Sequence, residues 1–149
     1  MLALDANILV YSVDAREHDK QRIAAEIITA AGRRTPSVLA LQAIGEFYVA
    51  STRKLHLQPA DIRARVLDLL AVFRTFPHSS SAVEQAARLA AQGRYFFWDA
   101  VLLVSASEAG CTLMLSEDMA DGMKFGKMVV RNPFSGSRLS DAANQALGL

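Results

Sequence analysis

Four acids in this 149-residue chain stand where apolar runs begin or end. Asp5 follows "MLAL", Glu46 lies in the first turns after "TPSVLAL", Asp99 heads "AVLLVSASEAG", and Asp118 follows "LMLS". Most of the 15 acidic residues are different: Glu26, Asp61, Asp68 and Glu84 sit among Arg and Gln on helix faces that water reaches. Carboxylates brought together repel one another, and burial adds to the cost, so a convergence of four requires a cation between them. An all-oxygen pocket with no His or Cys ligand pattern suits Mg²⁺ or Mn²⁺ rather than Zn²⁺. His18, His56 and His78 lie far apart in loops or at helix ends and are expected at the surface. Such a pocket serves phosphodiester hydrolysis, in which one ion activates a water and a second, where present, stabilises the leaving oxygen.

Taken one at a time, each acid also has a plain structural role. Asp5 and Asp99 fit as N-caps, each stabilising its helix by about 1 kcal/mol. Glu46 shares a helix face with Gln42 and Arg53 and fits as a solvated charge. Asp118 fits as a turn residue in "SEDMADG", as does Asp121 beside Gly122. These roles explain the acids separately and leave their convergence unexplained.

The elements that must position them alternate strand and helix. "MLAL" predicts a strand ending at Asp5, and "DANILVYS" a turn into a helix. Ile23, Ile27, Ala30 and Ala31 recur at helical spacing with Gly32 as a stop, and "TPSVLAL" predicts a second strand. A third helix carries Ile44, Phe47, Tyr48 and Ser51 on one face. Pro59 opens a fourth, with Ile62, Val66, Leu69, Leu70 and Phe73 directed inward. Ser81 and Glu84 form a capping-box pattern for the next helix, after at most a short strand around Thr75 to Pro77. "WDAVLLVSASEAG" predicts a buried helix closed by Gly110, "CTLML" a buried strand, "KMVVRN" a last strand, and residues 140–147 a terminal helix. The whole predicts an α/β fold with a mostly parallel sheet of four to five short strands flanked by helices. In such a sheet the carboxyl ends of the strands line one crevice where ligands bind. Asp5 and Asp118 belong on that edge, and Glu46 and Asp99 join them if their helices start on the same side.

Composition sets the remaining bounds. The length fits one domain with its own core, and 52% hydrophobic with 21% charged residues is the balance of a globular chain. A net charge of +1 leaves no strong basic footprint, so a nucleic-acid partner must be argued from a site. Cys111 is the single cysteine and has no partner in the chain. With no signal-peptide pattern and no apolar stretch long enough to span a bilayer, a cytoplasmic location is expected. The aromatics of "RYFFWD" suit core or subunit-interface packing, or stacking on unpaired bases if exposed. Arg33, Arg34, Arg53, Lys54, Arg63, Arg65, Lys124, Lys127 and Arg131 are scattered, and a folded arrangement could gather some of them beside the acids to grip phosphates.

In order along the chain, "LDANILVYS", "EFYVASTRK", "FFWDAVLLVSASEAGC" and "LSEDMADG" resemble the four signature segments of the PIN-domain ribonucleases, and more narrowly of the VapC toxins of bacterial toxin–antitoxin pairs. The resemblance extends from Met1 to Phe134. It implies a PIN-like three-layer fold over 1–134, with 135–149 as a C-terminal tail of the same domain. It passes the family's role of binding the catalytic divalent metal, Mg²⁺ with Mn²⁺ as substitute, to Asp5, Glu46, Asp99 and Asp118. Asn7 matches the family's asparagine two residues after the first acid, where it supports that carboxylate. Ser116 stands where the family often has threonine, and its hydroxyl can still hold a metal water. Asp121 is outside the four. The resemblance further implies an endoribonuclease that cleaves RNA, often a structured RNA such as transfer RNA. It also implies a small antitoxin that blocks the site and a homodimer; no membrane partner is expected, since no apolar stretch is long enough to span a bilayer.

Two other classes fit less well. A phosphate-accepting receiver domain needs an Asp ending its third strand and a Lys ending its last, and no Asp occurs between Asp19 and Asp61. A catalytically inactive PIN scaffold that binds RNA or a protein stands against four intact acids, and retained metal-dependent cleavage separates it from the nuclease.

Overall fold

The computed structural model describes Met1–Leu149, the side chain of Arg34 set aside. Six strands form the sheet: β1 (Leu2–Leu4), β2 (Ser37–Ala40), β3 (Arg74–Phe76), β4 (Leu113–Leu115), β5 (Lys124–Phe125) and β6 (Met128–Arg131). Their order is β3-β2-β1-β4-β6-β5, parallel except for β5. β1 is the centre, with Leu2 level with Ser37 on one side and Leu113 on the other. All of β1 is buried, as its unbroken apolar run requires of a parallel strand covered on both faces. The strand beyond those expected is β5. It folds back on β6 through Gly126-Lys127, with Gly126 at φ +57, a conformation that costs glycine little.

Seven helices flank the sheet: α1 (Ala6–Tyr11), α2 (His18–Arg34), α3 (Leu41–Arg53), α4 (Pro59–Val72), α5 (Ser80–Ala91), α6 (Phe97–Glu108) and α7 (Asp141–Leu147). α6 is buried nearly all round. Leu102, Leu103 and Ala106 join the main core, while Ala100 and Val101 meet Ala86 of α5 in a smaller one. A ribbon of β7 (Phe134–Ser135) and β8 (Arg138–Leu139) leads into α7, whose Ala143 and Leu147 are fully buried in the main core.

Several local expectations are corrected by tertiary packing. Gly32 does not stop α2, which continues to Arg34; a Cβ there would lie 2.7 Å from Val72 Cγ1, so the glycine permits close approach of the end of α4. The cap of α5 is Ser79 rather than Ser81. Its hydroxyl accepts from Ala82 N at 3.0 Å and donates to Glu108 Oε2 at 2.9 Å, which fastens α5 to the end of α6. Leu70, expected inward, is exposed, and so is Tyr48, expected on one face with Phe47, whereas Phe47, Ile62, Leu69 and Phe73 are buried. His18, His56 and His78 are exposed, as expected. Among the described residues no helix is long and apolar enough to cross a membrane.

Candidate active site

The site lies at the carboxyl ends of β1 and β4, the two central strands. Asp5 leaves β1 as the N-cap of α1: its backbone is extended, and its Oδ1 accepts from Ala6 N at 2.6 Å. Asp5 N donates to Leu115 O at 3.0 Å, so the two strand ends are joined where the site begins. Ser116, fully buried just beyond β4, donates to Asp5 Oδ2 at 2.6 Å, and Asn7 Nδ2 donates to the same oxygen at 2.9 Å. These bonds fix the rotamer of Asp5.

One cleft of about 860 Å³ is lined by Asp5, Asn7, Glu46, Asp99 and Asp118. Glu46 reaches it from the second turn of α3. Asp99 reaches it from the first turn of α6 and is not that helix's cap; the cap position is Phe96, which offers no side-chain acceptor. Burial pushes the Asp5 carboxyl up from 3.8 to about 6. Its bonds to Ser116 and Ala6 pull it down, and the charges of Asp118 and Asp99 push it up. Asp99 is raised as well, first by burial and then by Asp118. The cleft floor is therefore short of positive charge. Among the described residues no three of its acids meet closely enough to form a ready-made metal cage.

Asp121 takes no part in the cleft. It accepts from Arg131 Nε and Asn132 N, both at 2.9 Å, and these bonds hold its carboxyl below the usual range, the Asn132 bond foremost. Of the scattered cations, Arg53 and Lys54 line the cleft. Arg33 and Arg65 line a separate hollow of about 570 Å³ between α2 and α4. Arg34's side chain lies outside the described residues.

The sequence profile of the PIN domain matches residues 2–120. The chain belongs to the PIN-domain family. Its fold also matches the crystal structure of VapC20 from Mycobacterium tuberculosis, described as a sarcin-ricin loop cleaving toxin. The TM-score is 0.57 at 18% identity, over 76% of this chain and 87% of that one. That likeness is one of fold. No curated relative matches the sequence.

Two further groups stand beside the acids of this PIN domain. Gln42 Nε2 donates to Glu46 Oε1 at 2.8 Å and to Trp98 O at 3.0 Å, so one amide ties the α3 acid to the turn that carries Asp99. Its spacing of four from Glu46 was visible, but its contact with α6 was not. The second group is Lys20, Tyr11 and Glu117. Tyr11 Oη donates to Glu117 Oε2 at 2.5 Å, and Lys20 Nζ lies 2.7 Å from Glu117 Oε1. This holds the residue next to Asp118 against α1 and α2. Nothing in the spacing of residues 11, 20 and 117 announces it.

Proposed function

We propose that this PIN domain is a metal-dependent endoribonuclease, the toxin component of a type II toxin–antitoxin system. The observation that carries the reading is the meeting of Asp5, Glu46, Asp99 and Asp118 in one cleft, with Asp5 pushed to about 6. Carboxylates so placed favour a cation, and the donors are all oxygen, which suits Mg²⁺ or Mn²⁺. Asn7 Oδ1, buried without a hydrogen-bond partner among the described residues, is a further acceptor beside Asp5. The acids need not form a closed cage, because Mg²⁺ keeps several waters and takes few carboxylates. When bound, the metal supplies a water activated for attack on a phosphodiester and charge to stabilise the leaving oxygen.

In this reading the four acids hold the ion. Asn7 and Ser116 keep Asp5 ionised and aimed, since hydrogen bonds to a carboxylate favour its charged form. Arg53 and Lys54 grip phosphates of the bound strand. Structured RNA, with transfer RNA among the candidates, is the substrate class; the sarcin-ricin loop named for VapC20 is a structured RNA to test beside it. A small antitoxin covering the cleft, a homodimer and a cytoplasmic setting complete the proposal and rest on the family resemblance.

The alternative is an inactive PIN scaffold that binds RNA or a protein partner. The deciding experiment is expression of the chain alone in a bacterial host, with RNA ends sequenced from the arrested cells. Growth arrest and new RNA ends with the parent chain, lost in Asp5→Asn, support the nuclease. Harmless expression of soluble, metal-loaded protein with no new ends supports the scaffold.

A further inference from the structure

Trp98 is the chain's one tryptophan, and it stands beside the acids without joining the core. Within "RYFFWD", Tyr95 and Phe97 pack inward as expected, while Trp98 is 54% exposed and Phe96 85%. Core packing thus accounts for two of the four rings and leaves two unexplained. Trp98 lines the same cleft as Asp5, Glu46, Asp99 and Asp118. Its position is fixed on several sides. Gln42 holds its carbonyl, the Phe97 ring meets the indole edge-on at 5.0 Å, and the His78 ring does so at 6.3 Å.

The cleft thereby joins three chemistries: acids on its floor, the cations Arg53 and Lys54, and a large flat ring held in place. Those match the parts of a nucleotide strand, since phosphates meet cations and metal while a base face meets an aromatic plane. A duplex hides its base faces within the stack, so an indole here reads a base that is unpaired or splayed out. We infer that Trp98 is a stacking platform for an unpaired base beside the phosphate held over the acids. The inference rests on the nuclease reading above and adds to it the side chain that holds a base beside the acids. A second protein copy is the competing occupant of an exposed ring; the acids and cations in the same cleft favour RNA.

Because Trp98 is the sole tryptophan, its emission reports the contact directly. The test uses the full chain with Ca²⁺, which takes the same class of oxygen donors as Mg²⁺. A short oligoadenylate is expected to quench the emission by roughly half. An abasic oligomer of equal length, and oligoadenylate paired with its complement, are expected to leave it unchanged. Labelled oligoadenylate is expected to bind Trp98→Ala about ten-fold more weakly and Trp98→Phe within about three-fold of the parent. If Trp98→Ala melts early, the emission of the unaltered protein and the Trp98→Phe binding decide. Equal quenching by the abasic oligomer, or undiminished binding to a folded Trp98→Ala, overturns the inference. So does an emission change that follows protein concentration alone while light scattering shows Trp98→Ala to be monomeric. Base-dependent quenching without cleavage in Mg²⁺ keeps the platform and removes the nuclease reading; cleavage without base-dependent quenching does the reverse.

Discussion

Ser116 Oγ lies 2.6 Å from Asp5 Oδ2 and donates to it, joining two residues 111 positions apart. That bond lowers the Asp5 carboxyl against the burial that raises it. In Ser116→Ala, burial acts with less opposition, so Asp5 holds its proton to higher pH. The acidic limb of the pH profile for Mg²⁺-dependent RNA cleavage is expected to move up by about one pH unit, since a hydrogen bond to a charged group contributes roughly 1.5–3 kcal/mol. An unmoved limb would remove Ser116 from the site.

Asp5 also makes metal-free stability depend on pH. Its folded value of about 6 exceeds the unfolded 3.8, so the folded chain binds the extra proton between them. Below about pH 4 the carboxyl is protonated in both states and this contribution is absent. Stability is lost as pH rises towards 6, and above that the loss is full, of order 3 kcal/mol. Thermal melts in chelator are expected to show this falling limb. Asp5→Asn is expected to flatten it, and Mg²⁺ to offset it in the parent alone. A parent whose melting temperature rises steadily from pH 4 to 7 contradicts the assignment.

Because Phe96 holds the cap position of α6, Asp99→Asn leaves the helix start untouched while removing one charge from the cleft. In chelator the variant is expected to melt at or above the parent's temperature. Its cleavage in Mg²⁺ is expected to fall by about two orders of magnitude. A variant that unfolds would make Asp99 chiefly structural, and one that cleaves normally would remove it from the metal site.

Residues 135–149 are expected to belong to the same folding unit as 1–134. Ala143 and Leu147 are fully buried in the main core, and Ser140 caps α7 by accepting from Ala143 N at 3.3 Å. Leu147→Ala is expected to cost about 2–5 kcal/mol in urea unfolding, and truncation after Phe134 more. A truncated chain with an unchanged midpoint would make the tail a separate appendage.

The parallel sheet and the cleft were legible because their signals are local. Unbroken apolar runs mark strands covered on both faces, and an acid at the end of such a run must lie at the sheet edge. What escaped was set by contacts between elements. Ser79 outranks Ser81 as a cap, its hydroxyl also donating a hydrogen bond to Glu108 on another helix. α6 begins at Phe97 without a capping side chain because burial of its apolar body, rather than its first turn, holds it in place. Gln42 reads as a surface polar residue until the backbone of Trp98 comes within 3.0 Å of it. Gly32 reads as a helix stop until Val72 occupies the space a side chain would need.

The placement of β4 beside β1 sets a timetable for the site. Asp5 is made before Ser116 and Asp118, which follow a strand that pairs with β1 only after more than a hundred intervening residues have emerged. A nascent chain that ends before Leu113 has the first three acids but neither the hydroxyl that steadies Asp5 nor the fourth carboxylate. Such a chain is expected to leave RNA intact and to bind Mg²⁺ weakly, which ribosome-stalled chains of graded length would measure. On the nuclease reading, the messenger and ribosome producing the chain are spared until β4 has joined β1.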